Sequence, residues 1–374
     1  MKKLRIALLA AALGAALSLP AAADCSAKAM ILYEPRTGTV LSERSADMEL
    51  PVASTTKIMT ALTVLERCAL DETVTVTAAQ AATEGSSMYL KAGERYTVEE
   101  LLYGLLLASG NDAAVALAEH CAGSCTDFAA LMNENCAALG LRHSHFANPH
   151  GLDAEGHYSS ARDLAILTAA AMENPDFCRI FSTESARVHG VLYTNHNKLL
   201  KSCPGCIGGK TGYTSKAGRV LVSCVEREGL RLICVTVSDP DDWLDHAAAY
   251  DAAFAEYRYI PLPERQHMTL PVNSGVAAEV PLCCGVPGLV APKSAELRIR
   301  TELPRFVFAP VSAGDVLGRI TVFSDGKKLL STPILCALEN EQDQSVPLSL
   351  KEKLRRGWSL YCRYGVNRVY PMNY

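Results

Sequence analysis

Three short runs carry the side chains best suited to act together: Ser54-Thr55-Thr56-Lys57, Ser109-Gly110-Asn111 and Lys210-Thr211-Gly212, in that order along 374 residues. They supply a serine hydroxyl with an amine three positions on, a second hydroxyl with an amide, and a basic strand edge for an anion. That is the equipment of acyl transfer through a serine ester. A serine hydroxyl is a weak nucleophile at neutral pH and needs a base. Lys57 can serve only where burial and a neighbouring positive charge keep it neutral for part of the time, and Lys210 is the candidate for that charge. Within a helix Ser54 and Lys57 face the same way, and the positive end of the helix dipole favours charge developing on the hydroxyl. Gly212 lets a substrate backbone approach, while the main-chain N–H groups of Ser54 and Tyr213 are candidates for an oxyanion hole.

Each run also has an ordinary reading. Ser54 alone is a helix cap, Ser109 and Asn111 a turn and a cap, and Lys210 a solubilising lysine on an edge strand. Ser324-Asp325-Gly326-Lys327 repeats the Ser-x-x-Lys spacing, but its Asp-Gly lies between apolar runs and reads as a hairpin turn. Arg36-Thr37-Gly38 nearly matches the third run and reads as another turn. What sets the three runs apart is their order and the suitability of each local context.

The elements that must hold them can be read in outline. Ala29 to Tyr33 and Thr39 to Ser42 form a hairpin. Ser54 opens a helix through Ile58, Ala61, Leu62 and Leu65, and Thr97 with Glu100 makes a capping box for a second, buried helix. Gly110 breaks that helix and a third begins near Asp112. Ser160 and Asp163 cap another through Met172. Arg219 to Val225 and Leu230 to Val237 flank Glu226-Arg227-Glu228-Gly229 as a hairpin, and Asp241 to Tyr257 is helical. Strands at both ends with helices between predict an α/β unit, one antiparallel sheet carrying an inserted helical lobe with the cleft between them. From Pro261 short strand-like runs alternate, predicting a small all-β domain that ends near Ala337.

The ends and composition set further bounds. Lys2, Lys3 and Arg5, the apolar run Ile6 to Leu19, and Ala21-Ala22-Ala23 form a secretory signal cleaved before Asp24. Removing those three basic residues takes the formal charge from −4 to −7, which argues against a nucleic-acid partner. The expected divisions are a signal at 1–23, a catalytic domain at 24–260, a β-rich domain at 261–338, and a linker and tail at 339–374. The tail sets Leu350, Leu354, Trp358 and Tyr361 on one helical face, rimmed by Lys351, Lys353, Arg355, Arg356 and Arg363. That pattern fits an interfacial helix on a membrane surface; docking on its own domain is the alternative. Fourteen cysteines permit disulfides, yet they follow no regular spacing and several sit in apolar runs, so mostly reduced core thiols are expected. Cys203-Pro204-Gly205-Cys206 resembles a redox or metal pair but lacks the context of either.

The three runs resemble those of penicillin-binding proteins and serine β-lactamases. The longer stretches Ala53 to Leu62, Ser109 to Ala113, Asn148 to Leu152, Tyr158 to Leu164, Thr194 to Leu200 and Lys210 to Thr214 resemble one branch closely, the low-molecular-mass D-alanyl-D-alanine carboxypeptidases of peptidase family S11. The resemblance implies a penicillin-binding, serine β-lactamase-like fold. It implies that Ser54 forms the acyl-enzyme, Lys57 accepts its proton and Ser109 assists proton traffic. Asn111 positions the donor peptide, Lys210 and Thr211 bind the terminal carboxylate, and Gly212 completes the substrate-binding set. His196 stands where some relatives use arginine near that carboxylate, and Cys206-Ile207-Gly208-Gly209 lacks the acidic residue many relatives carry before the lysine. The implied substrate is the peptidoglycan stem peptide and the implied inhibitors are β-lactams, with no cofactor or metal. The implied place is the outer face of the cytoplasmic membrane, held by the tail. A class A β-lactamase is disfavoured because no glutamate between Asn111 and Lys210 is followed four positions later by asparagine. A wall-peptide-binding scaffold is disfavoured because every expected catalytic side chain is present.

Overall fold

The computed structural model describes residues 25–262, 268–324, 326–343 and 349–363. The expected signal at 1–23 and residues 344–348 of the linker lie outside the described residues. The chain divides into two compact units between Ala255 and Glu256.

The first unit opens on the expected hairpin, β1 (Ala29–Glu34) and β2 (Thr39–Arg44). Arg36-Thr37-Gly38 is its turn: Gly38 takes φ +72° and its N–H donates to the Glu34 carbonyl at 3.0 Å. Ser54 departs from expectation, because it does not cap an α-helix. Ala53–Thr56 form one 3₁₀ turn, and α1 (Lys57–Leu65) continues from it. Residues three apart eclipse in a 3₁₀ turn, so Ser54 and Lys57 end side by side. Next, β3 (Thr73–Thr75) and β4 (Arg95–Thr97) pair around the single turn α2 (Ala78–Ala81). Both bonds of the Thr97–Glu100 capping box are made, at 3.2 and 2.8 Å, and start α3 (Val98–Leu106).

After Gly110 come α4 (Asn111–Ala122), α5 (Cys125–Leu139) and α6 (Ala161–Ala171), the last capped by Ser160 as expected. The chain continues through α7 (Pro175–Phe181), the β5 (Ser185–Val188) and β6 (Val191–Thr194) hairpin, and α8 (Leu199–Ser202). It then returns to the sheet as β7 (Cys206–Thr214), β8 (Gly218–Arg227) and β9 (Leu230–Val237), and ends in α9 (Asp242–Glu256). The β8–β9 turn is shorter than expected. Glu228 and Gly229 alone make it, at φ +49° and +77°, while Glu226 and Arg227 stay paired with Arg231 and Leu230. Two positive-φ residues give the turn whose twist matches that of the strands.

The five strands lie in the order β2-β1-β9-β8-β7, antiparallel throughout, with β7 at an edge. The central strands read as near-continuous apolar runs because both faces are covered. Val220, Val222, Ile233 and Val235 join the core of the helical lobe. The alternate residues meet α9: Ser223 Oγ bonds His246 Nδ1 at 2.7 Å and Tyr250 Oη at 2.8 Å, and Thr236 Oγ1 bonds His246 Nε2 at 3.1 Å.

The second unit contains β10 (Tyr257–Pro261), β11 (Thr269–Asn273), β12 (Glu279–Cys284), β13 (Gly288–Pro292), β14 (Leu297–Glu302), β15 (Val307–Phe308), β16 (Val316–Ser324) and β17 (Lys327–Cys336). Six of them form a sheet in the order β14-β16-β17-β12-β11-β15, and β10 pairs with β13. Ser324 is registered with Lys327, so the second Ser-x-x-Lys run is a hairpin connection as expected. The tail forms α10 (Leu350–Arg363). It packs on β11 through its less apolar side: Asn273 Nδ2 donates to the Lys353 carbonyl at 2.8 Å, and a Cβ on Gly357 would lie 3.1 Å from Phe306. Leu350, Leu354, Trp358 and Tyr361 stay exposed. No helix among the described residues is long and apolar enough to cross a membrane.

Candidate active site

The 3₁₀ turn, the N-terminus of α4 and the edge strand β7 converge on one cleft of about 570 Å³, lined among others by Ser54, Ser109, His196, Thr211, Gly212 and Tyr213. Lys57, Asn111 and Lys210 are buried within reach of its serines. All the side chains expected to act together are therefore gathered from segments up to 156 positions apart, Ser54 to Lys210.

Lys57 Nζ donates to Ser54 Oγ at 2.9 Å, to Asn111 Oδ1 at 2.7 Å and to the His150 carbonyl at 2.7 Å. Burial holds this amine well below the usual lysine range, the charge of Lys210 lowers it further, and Asp112 opposes them. Lys210 Nζ makes the parallel arrangement, donating to Ser109 Oγ at 2.9 Å and to its neighbour's Thr211 carbonyl at 2.9 Å. Burial alone brings Lys210 down to about 7. The site thus holds two hydroxyl–amine pairs, Ser54–Lys57 and Ser109–Lys210, each with an amine that burial lowers from its usual range.

The backbone around the serines is held in unusual conformations. Ala53, before Ser54, has φ +47°, and Ser109 has φ +60°. Non-glycine residues hold this region only when their surroundings impose it. For Ala53 that surrounding is the Asn148-Pro149-His150-Gly151 segment: Thr60 Oγ1 donates to the Pro149 carbonyl at 2.6 Å, and a Cβ on Gly151 would lie 1.9 Å from the Ala53 carbonyl oxygen. On the other side a Cβ on Gly212 would lie 2.9 Å from the Ser54 nitrogen, so β7 must approach that amide as a glycine. Strand pairing leaves the far edge of β7 free of the sheet.

Several contributors were not singled out by the sequence. Asp112 accepts from Ser87 Oγ at 2.6 Å and from the N–H groups of Met88, Leu90 and Ala113 at 3.0, 3.1 and 2.9 Å, binding residues 87–90 to the start of α4. Lys198, Arg219, Asp242 and Trp243 also line the cleft. Arg219 grips Asp242 through two bonds of 3.1 and 2.6 Å, and both Lys198 and Arg219 sit 5.8 Å from the Trp243 ring centre. Adjacent Lys and Arg beside Asn197 and a hairpin end were the available signals. His196 lies on the same wall, its imidazole lowered by burial and then by Lys210.

The glycines before Lys210 are tightly packed. A Cβ on Gly208 would meet Phe181 at 2.2 Å and one on Gly209 would meet Asn197 Nδ2 at 2.3 Å. Cys203 and Cys206 take separate partners, Arg227 Nη2 at 3.4 Å and Asn197 Nδ2 at 3.7 Å. All fourteen cysteines are free thiols.

The family model Peptidase S11, described as D-alanyl-D-alanine carboxypeptidase, matches residues 16–241. The chain belongs to this family. Among its relatives, D-alanyl-D-alanine carboxypeptidase DacF of Bacillus subtilis is 32% identical over 327 residues, 82% of this chain and 84% of the relative. DacC of Escherichia coli, of the same description, is 33% identical over 344 residues, 86% of each chain. Among solved structures, penicillin binding protein 5 from Haemophilus influenzae superposes with a TM-score of 0.73 at 28% identity, covering 85% of this chain and 98% of that one. The expected fold, an antiparallel sheet with a helical lobe followed by a small β-rich domain, is that of S11 enzymes, and the chain is a serine-type D-Ala-D-Ala carboxypeptidase.

Proposed function

We propose that Ser54 attacks the carbonyl of the penultimate D-alanine of a peptidoglycan stem peptide, with Lys57 as the base that takes its proton. The observation that carries this reading is the 2.9 Å contact between Lys57 Nζ and Ser54 Oγ, made by an amine that burial keeps well below its usual range. A protonated lysine there could not accept a proton; a desolvated one can. The Ser54 and Tyr213 main-chain N–H groups receive the oxyanion, supported by the close seating of Gly212 on the Ser54 amide. Ser109, bonded to Lys210, passes a proton to the departing D-alanine, whose carboxylate lies against Lys210, Thr211, Gly212 and His196. Asn111 orients the donor peptide and Lys57 together. Water then releases a peptide shortened by one residue. β-Lactams offer a carboxylate and a strained amide to the same groups, and their tethered leaving group obstructs water, so the ester persists.

The same reading places the enzyme outside the cytoplasm, lying on the membrane through α10. Its support is the outward apolar stripe of Leu350, Leu354, Trp358 and Tyr361 on a helix whose other side is docked on β11.

The deciding experiment incubates the purified protein with a pentapeptide ending in D-Ala-D-Ala and with a penicillin. Free D-alanine and a penicillin adduct on Ser54 are expected. Ser54→Ala should lose both, and Lys57→Ala should slow acylation by ~10²–10⁴-fold, the usual worth of a general base. An adduct mapped by mass spectrometry to another residue overturns the assignment.

A further inference from the structure

Away from the cleft, three metal-ligating side chains meet at the far ends of the two helices that build it. Helix α1 starts at Lys57 and α4 at Asn111, residues that share a 2.7 Å bond. Just beyond the end of α1, the Cys68 N–H still donates to the Val64 carbonyl at 2.8 Å. A tight turn follows, in which Ala69 N–H donates to Glu72 Oε1 at 2.6 Å and folds Glu72 back beside Cys68. The last turn of α4 presents His120 to the same point. One ligand atom each from Cys68, Glu72 and His120 lie within 4.8 Å of one another, and His120 Nε2 is 2.8 Å from Glu72 Oε2.

We propose that Cys68, Glu72 and His120 form a binding site for a thiophilic divalent cation of the zinc type, clamping the ends of α1 and α4. A thiolate, an imidazole and a carboxylate are ligands zinc accepts, with water completing a four-coordinate site. The site is reachable from solvent, since the His120 and Glu72 side chains are 24% and 43% exposed and the Cys68 thiol is half-buried. Charge also balances, because one thiolate and one carboxylate neutralise a divalent cation. Metal entry displaces the thiol proton to solvent. The role is structural: the ion touches no group of the reaction, but it fixes the helices that carry Lys57 and Asn111.

The test titrates the full processed chain, kept reduced with a non-thiol reductant, with Co²⁺ as a spectroscopic stand-in and then with Zn²⁺. One tight Co²⁺ per chain is expected, with thiolate-to-cobalt absorption, displacement by Zn²⁺ and release of about one proton. Cys68→Ser and His120→Ala should each weaken binding by at least ~10-fold, while Cys203→Ser with Cys206→Ser leaves it unchanged. A measurement that needs no variant accompanies these: Zn²⁺ should protect Cys68 from alkylation, read by mass spectrometry. Absence of tight Co²⁺ uptake overturns the proposal. So does protection that maps to other cysteines and not to Cys68, or a disulfide at Cys68 in protein isolated from cells without reductant.

Discussion

Lys210 gives the site a pH dependence whose alkaline side can be worked out in advance. Burial lowers this amine to about 7, from an ordinary lysine value of 10.5. It is therefore charged below that pH and uncharged above it in the free enzyme. A carboxylate needs the charged form. By pH 9 only about one free enzyme molecule in a hundred carries it, so kcat/KM for a D-Ala-D-Ala peptide should fall about tenfold per pH unit above 7, roughly 100-fold by pH 9. Each decade corresponds to about 1.4 kcal/mol of lost binding to the transition state. Once bound, the substrate carboxylate supplies the opposite charge that the empty site lacks and draws the proton back. The loss should therefore appear in KM, with kcat holding to higher pH.

The assay is D-alanine release from the pentapeptide across pH 5 to 10, repeated with Lys210→Arg. Arginine stays charged throughout that range. The variant is slower overall, because the contact with Ser109 changes, but its alkaline limb should be gone. A kcat/KM profile that is flat between pH 7 and 9 refutes the reasoning. A limb that persists unchanged in Lys210→Arg refutes it equally, since the titrating group would then be another.

Three further outcomes follow from the same geometry. Gly151→Ala puts a Cβ where the Ala53 carbonyl oxygen lies, at φ +90°, so it should slow penicillin acylation by ~10²-fold by shifting Ser54; an unchanged rate shows that this segment does not set the serine. Asp112→Asn removes the charge that opposes the lowering of Lys57 and leaves the Leu90 N–H without its acceptor, costing ~1–3 kcal/mol. Its acylation should extend to lower pH while thermal stability drops; an acid limb that moves upward contradicts the assignment of Lys57 as base. Removal of residues after Glu339 should leave active protein that no longer binds anionic vesicles, whereas the full processed chain binds them at low salt; failure of the full chain to bind shows that α10 only docks.

How much of this was legible depended on where the information sits. The three runs, the capping box at Thr97 and Glu100, and the Ser160 cap are local: a few neighbouring side chains decide them, and the sequence shows them directly. The β8 and β9 strands were visible as Val and Leu runs, but their turn was placed too wide. The charged pair Glu226 and Arg227 looks like loop and is in fact a half-buried strand end, closed by the two positive-φ residues that follow. Helix α5 and the β5–β6 hairpin carry no sharp signal, because the apolar residues of α5 are mostly Ala, Cys and Leu interrupted by Asn and Glu, and the hairpin is two short, largely exposed strands.

The supports of the nucleophile were the least legible, for a physical reason. Gly151 matters because one absent Cβ leaves room for the Ala53 carbonyl, and Asp112 because its two oxygens meet four separate donors. Neither fact has a signature in spacing or periodicity; each exists only once distant segments have met. Sequence could offer candidates for the reacting groups, since chemistry restricts those to few residue types. It could not name the groups that hold them. Holding a lysine below its usual range 2.9 Å from a serine requires burial, and burial is a property of the assembled fold.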